Sequence, residues 1–422
     1  MTEDTNRVLA DLDECVAGLE ATLIEVRRHL HAHPEPSGEE VRTTEFLAQQ
    51  LAEMGWEPRV YRNGIGVSAD VVLGRPSDGA PLIAVRSDMD ALRMPDEKAV
   101  EYRSQYEGLN HACGHDAHAA MVLGLGLAGA AWRRHSETET LAGPVDGVRL
   151  RLIFQPAEET SQGARWLVEQ GVLEGVSAIL GIHVDPERLA GQVGIRYGAL
   201  TANCDEVAFV VNGHGGHAAR PHHTIDSVAA AAQLVGALYQ FLPRSVDSRQ
   251  PSVFTIGEIK GGYAPNVIPE RVELRGSLRT TDPHVRETLK RRIGDIVDGI
   301  EEVSGARVRY EFLNPLKAVY NDPQIAAALE EAAKQVVGKE NVALINRPSM
   351  GGEDFSIYLE QAPGAMLRLG CSPPGVEPPL FLHSQKFDLD ERVLSLGTRI
   401  LLRAAVLLTD RLRPSPPSAQ EE

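Results

Sequence analysis

The chain has 422 residues, 43% hydrophobic and 24% charged, and its 59 acidic residues against 42 basic ones leave a formal net charge of −17. That length exceeds one ordinary core and predicts two domains, while the acidity argues against a nucleic-acid or anionic-membrane partner. Four widely spaced cysteines, Cys15, Cys113, Cys204 and Cys371, exclude a disulfide scaffold and fit a reducing, cytoplasmic setting.

The N-terminal stretch MTEDTNRVLADLDE is acidic and holds no apolar segment of secretory type. Residues 11–33 read as one helix, because Val16, Leu19, Leu23, Val26 and Leu30 recur three or four apart, and 39–54 read as a second. Apolar runs at 81–86, 148–154 and 178–182 read as buried strands, with helices beginning near His115 and Gly163. The run 119–132 is too short to span a bilayer and reads as buried helix. Strands alternating with helices predict an α/β domain, a mostly parallel mixed sheet flanked by helices. From about Leu200 the rhythm changes to strand 207–212, helix 224–242 with Thr224 or Asp226 near its start as cap, strands 252–259 and 271–279, helix 282–303 and strand 306–313. This β-α-β-β-α-β order is ferredoxin-like and predicts a domain at 200–314 inserted into one built from 1–199 and 315–422. A helix at 322–337 and apolar runs at 365–369 and 379–382 follow, and the Pro/Ser-rich end at 411–422 is predicted to be a disordered tail.

Candidate ligands gather where sheets of this kind bind, at the carboxyl ends of strands. Asp88 and Asp90 follow the first run, Glu158 and Glu159 the second, His183 the third, and His383 the run that ends at Leu382. The segment HACGHDAH adds Cys113 and His115 just before an apolar helix, whose N-terminus favours the thiolate form of Cys113. Singly, each has a plainer reading: a strand-end Asp caps a turn, a lone cysteine fills a core, and two adjacent glutamates open a solvated helix. Together, Cys113, His115, Glu159, His183 and His383 combine a thiolate, imidazoles and a carboxylate, a set suited to zinc, manganese or a similar first-row ion. Neighbouring glutamates point in different directions, so one can hold metal while the other acts as general base on a water whose pKa the metal lowers from about 15.7 to about 7. We assign Glu158 as base and Glu159 as ligand; spacing alone also permits the reverse. In the inserted domain, NGHGGHAARPHH carries His217, which can stabilise an oxyanion. Asn266 and Arg279 lie at strand ends of the same domain, and Arg279 can grip a substrate carboxylate as a bidentate fork. Their plainer reading is a surface loop with cap and turn residues.

The stretches RRHLHAHPEPSGEE, VRSDMDAL, HACGHDAH, FQPAEE, GIHV, NGHGGHAARPH, NVIP, GSLRT, MGGEDFS and LHSQKFD run from residue 27 to 388. As a set they resemble the amidohydrolase branch of the metallopeptidase 20 family. That branch includes hippurate hydrolases, indoleacetyl-amino-acid hydrolases, N-acyl-amino-acid amidohydrolases and N-acetyldiaminopimelate deacetylases. The resemblance implies a zinc-exopeptidase-like catalytic domain interrupted by a lid or dimerisation domain. It implies a centre of two divalent ions (Zn²⁺, Mn²⁺ or Co²⁺) on Cys113, His115, Glu159, His183 and His383, with Cys113 in the bridging position. It further implies Glu158 as general base and Asp90 as the carboxylate that orients a ligating group. His217 matches a histidine that, in dimeric relatives, often reaches the active site of the neighbouring subunit. The implied reaction is hydrolysis of an N-acyl amino acid, aliphatic or aroyl, by a homodimer or larger homo-oligomer; the residues themselves suggest His217, Asn266 and Arg279 as the substrate-binding set. A dipeptidase or carboxypeptidase with the same centre is the enzymatic rival. A non-catalytic, metal-stabilised binding protein is the other, and retention of Glu158 argues against it. DMDAL is followed here by RMPDE, Arg220 stands where relatives often carry Met, and His214 where they often carry Lys. Arg93 and Arg220 near the pocket would favour an acidic or strongly polar substrate.

Overall fold

The computed structural model describes residues 3–74, 79–138, 147–376 and 380–413. The chain folds into two compact units. The first runs to Gly198 and resumes over Tyr320–Asn346 and from Asp354 onward; the second is Ala199–Val319 with Arg347–Glu353. Arg347–Glu353, expected in the larger unit, joins the smaller one because Ser349 N donates to Leu200 O at 2.9 Å and Ala202 N to Gly351 O at 3.1 Å.

In the first unit, eight described strands form one mixed sheet. Its order is Pro58–Val60, Val67–Leu73, Val148–Gln155, Leu82–Asp88, Val176–Leu189, Gly364–Ser372, Val193–Ile195 and Val342–Leu344. The four central strands run parallel, and antiparallel pairings flank them on both sides. Parallel strands covered on both faces are buried on both sides, and Leu82–Asp88 is buried at every position, apolar over Leu82–Val85 and ending in the mutually paired Arg86 and Asp88. The helices Glu3–Ala17, Glu20–Ala32 and Val393–Leu412 pack on His115–Thr138. A Cβ on Gly124 would stand 2.6 Å from Thr398 Oγ1, so glycine sets the approach of two of these helices.

Three further expectations change. The single helix at 11–33 is two, Glu3–Ala17 and Glu20–Ala32, separated at Gly18, a poor helix former; the apolar spacing spans the break, with Val16 and Leu23 both fully buried. The run at 379–382 forms no described strand: Pro379 lies outside the described residues, and the chain reaches a turn that leaves His383 at φ 59°. Residues 411 and 412 of the expected tail close the last helix, and 414–422 lie outside the described residues.

In the second unit four antiparallel strands stand in the order Ser252–Gly261, Arg271–Thr280, Asn203–Asn212, Arg307–Leu316. The helices Ser227–Phe241 and Pro283–Ser304 complete the ferredoxin-like order. Its own core includes Val207, Phe209, Leu234, Leu238 and Ile293. Asp226 and Asp282 cap the two helices, each accepting two backbone N–H bonds. Among the described residues no helix is long and apolar enough to cross a membrane.

Candidate metal centre

Adjacent parallel strands deliver the first groups to one sheet edge. Asp88 closes Leu82–Asp88, and Gln155 closes Val148–Gln155, so Asp90 and the turn carrying Glu158 and Glu159 leave neighbouring strands side by side. His183 does not follow its strand as expected. The strand continues to Leu189, and His183 stands within it in register with Arg368. Gly114, at φ 83°, turns HACGH into the long helix; a Cβ there would lie 2.6 Å from Val184 Cγ2. His383 reaches the same place because its N–H donates to Ala112 O at 2.8 Å.

The ligand atoms meet in overlapping groups, each with its atoms within 4.8 Å of one another: Cys113, His115 and His183; Cys113, Glu159 and His383; and His115, Glu158 and Glu159. Cys113 is common to the first two. Its Sγ lies 3.7 Å from His183 Nε2, and His383 Nε2 lies 3.4 Å from Glu159 Oε1. Both buried imidazoles are oriented by their Nδ1–H. That of His115 donates to the Asp90 carbonyl oxygen at 2.9 Å and to Asp90 Oδ1 at 3.1 Å, and that of His183 to Val184 O at 2.8 Å. Each Nε2 is left with its lone pair turned to the shared space. His115 Nε2 and Glu159 Oε1 are buried without a hydrogen-bond partner among the described residues. Buried polar atoms are rarely left so. A divalent cation would satisfy both, and one sulfur, three imidazoles and a carboxylate are a donor set for zinc, manganese or cobalt.

A further group, Asp88, His115 and His118, is also compact. His118 has no nitrogen to spare: Nδ1–H donates to Asp88 Oδ1 at 2.7 Å, and Nε2 accepts from Val184 N at 2.9 Å. Asp88 is also held by Arg86 Nη1 at 2.7 Å, and the same fully buried guanidinium donates to Asp354 Oδ1 at 2.9 Å and Gln155 Oε1 at 2.7 Å. Sequence reasoning missed Arg86, His118, Gln155 and Asp354. For His118 a signal existed, since it follows His115 by one helical turn.

Charge at the centre is uneven. Burial pushes the Cys113 thiol up, opposite to the thiolate preference expected from the helix end. Desolvation outweighs that dipole, so a cation has to drive the deprotonation. Burial alone would lower His115, yet Asp88, Cys113 and the bond to Asp90 raise it well above the ordinary imidazole range. Positive charge, proton or metal ion, is favoured at that ring. Burial, Arg368 and His118 hold His183 well below that range. Asp88, despite its burial, is held well below the carboxylate range by His115, His118 and Arg86.

The expected substrate residues lie in the second unit. His217 pairs with Val267 across a two-stranded ribbon, and Ala218 N donates to Asn266 O at 3.1 Å, so His217 and Asn266 are neighbours. His217 Nδ1 accepts from Ala219 N at 3.1 Å, which makes Nε2 the protonated nitrogen of an exposed ring. Arg279 is not beside them; its Nη1 contacts the Cys204 thiol. Of the two arginines expected near a pocket, Arg93 is paired with exposed Glu39, and Arg220 is exposed in the second unit.

Residues 84–406 match the model of Peptidase family M20/M25/M40. The chain is 35% identical over 393 residues to N-acetyl-L-cysteine deacetylase of Bacillus subtilis, covering 93% of this chain and 89% of the relative. It is 34% identical over 394 residues to thermostable carboxypeptidase 2 of Saccharolobus solfataricus, with 90% and 94% covered. The solved YXEP protein of Bacillus subtilis, a dinuclear metal-binding peptidase of the M20 family, superposes with a TM-score of 0.79 at 32% identity, over 94% of this chain and 99% of that one.

Proposed function

Since this chain belongs to the M20/M25/M40 peptidase family and is a hydrolase, we propose that it cleaves the amide bond of N-acyl amino acids, aliphatic or aroyl, to a carboxylate and a free amino acid. The observation that carries this reading is the membership of Cys113 in two ligand groups beside the Glu158–Glu159 pair. The ligands are Cys113, His115, Glu159, His183 and His383, and two divalent ions, Zn²⁺, Mn²⁺ or Co²⁺, match their donors. When bound, the ions act as Lewis acids toward the scissile carbonyl and the attacking water. Glu158 accepts the proton of that water and delivers it to the amide nitrogen as the C–N bond breaks; the water oxygen ends in the carboxylate product. Asp90 keeps His115 in its ligating tautomer. His217 Nε2–H is assigned to the developing oxyanion, with Asn266 its neighbour in the substrate-binding role; Arg279, which stands apart from both at the Cys204 thiol, is assigned separately to the substrate carboxylate. The similarity to an N-acetyl-L-cysteine deacetylase supports the acyl-amino-acid class.

Metal-free protein dialysed against EDTA should be inactive on a library of N-acyl amino acids read by mass spectrometry, and Mn²⁺, Zn²⁺ or Co²⁺ should restore turnover. Full activity without metal refutes the reading. The similarity to a carboxypeptidase favours one alternative, a dipeptidase or carboxypeptidase using the same centre. Turnover of dipeptides with none of acyl-amino acids selects it.

A further inference from the structure

The stretch HPEPSGEE leads into the helix Val41–Glu53 and has no part in the chemistry above. It nevertheless touches the chain on both sides of the centre. Pro36 bridges Ala91, and Ala91 N donates to Glu35 O at 2.8 Å, which ties the stretch to the residue after Asp90. Ser37 Oγ donates to Asp90 Oδ2 at 2.6 Å. That same oxygen accepts Glu159 N at 3.1 Å, while Asp90 Oδ1 holds His115. Glu40, with its residue fully buried, places Oε1 2.7 Å from Ala157 N. Ala157 sits at φ 51° without being glycine, and Ser161 in the same turn sits at φ 55°. Left-handed backbone at such residues persists only where the surroundings over-determine it. Ala157 O, in the peptide that leads to Glu158, accepts Gln162 N and Gly163 N, while Glu40 holds the preceding peptide through Ala157 N–H, so both peptides flanking the strained residue are fixed.

We propose that Ser37 and Glu40 are positioning residues that hold the Ala157–Glu159 turn and Asp90 in the conformation that captures metal. The proposal rests on the reading of Glu158 and Glu159 given above. Burial, with Asp90 nearby, pushes the Glu40 carboxyl up to about 7. Ionised or neutral, it keeps an acceptor for Ala157 N, and so does a glutamine amide.

The test measures Mn²⁺ affinity by calorimetry, together with the melting temperature of the metal-free protein and kcat and KM of the loaded protein. Glu40→Ala and Ser37→Ala should each weaken Mn²⁺ binding about tenfold or more and lower kcat while leaving KM within about twofold. Glu40→Gln should restore affinity to within about threefold. Wild-type affinity in a folded Glu40→Ala protein, whatever its melting temperature, overturns the clamp, because a merely structural role moves stability alone. Should Glu40→Ala fail to fold, wild-type affinity in Ser37→Ala, or lost affinity in a folded Glu40→Gln protein, overturns it instead. Wild-type protein that binds no Mn²⁺, Zn²⁺ or Co²⁺ sinks the metal reading and the clamp with it, whereas normal wild-type binding with unaffected variants sinks the clamp alone.

Discussion

Glu158 and Glu159 are chemically identical neighbours whose surroundings separate them. Glu159 Oε1 is buried with no hydrogen-bond partner among the described residues, 3.4 Å from His383 Nε2, and its backbone N–H is held by Asp90. Glu158 groups with His115 and Glu159 but not with Cys113 or His383. Exchanging Glu158 for Gln should therefore leave metal affinity intact and cut kcat by about 10²–10⁴-fold, the usual contribution of a general base; a kcat near wild type removes Glu158 from that role. Cys113 sets a pH dependence. Its thiol is raised by burial, so around neutrality metal must displace a proton to bind. Affinity for Zn²⁺ should then tighten as pH rises from 6 to 8, by up to about tenfold per unit for each proton released. A flat profile in competition titrations counts against Cys113 as a ligand.

Among the elements, the turn after Val148–Gln155 carries the tightest constraint. A Cβ on Gly163 would stand 1.5 Å from Pro156 O, a backbone atom with nowhere to go. Gly163→Ala should cost about 3 kcal/mol or more, by forced displacement in a packed interior, and should loosen metal binding with it. Unchanged melting and Mn²⁺ affinity would show that the turn tolerates movement. The helices of the second unit were readable within a few residues of their starts: of the two cap candidates Thr224 and Asp226 the structure selects Asp226, and Asp282, read as the first residue of its helix, is its cap. The break at Gly18 was less so, because Val16, Leu19 and Leu23 keep a helical spacing through it. Periodicity reports which side faces the core and is blind to a break that preserves the phase.

At the scale of the whole molecule, the resemblance-based expectation of a homodimer in which His217 serves the neighbouring subunit's site has a direct test. In such a dimer, His217→Ala and Glu158→Gln proteins would each be inactive. Mixed in equal amounts they should recover about a quarter of wild-type activity, the share of sites completed across random two-fold dimers. No recovery would mean that each site is built within one subunit. Recovery would also explain an exposed His217 ring that carries its proton on Nε2.

The residue types alone named the chemistry. A thiol, imidazoles and carboxylates at strand ends announce coordination wherever they meet, and alternating apolar runs announce the α/β sheet, because both signals are local. Tertiary structure decided what local signals cannot carry. His383 follows no described strand and is brought in by a backbone bond to Ala112, far away in sequence. Arg86, Asp354, Ser37 and Glu40 have no local mark of function; only folding sets Arg86 against Asp88 and Asp354, Ser37 against Asp90 and Glu40 against Ala157. The Cys113 thiol follows the same rule: its helix end is visible in the sequence, and the burial that raises it exists only once the chain has closed around it.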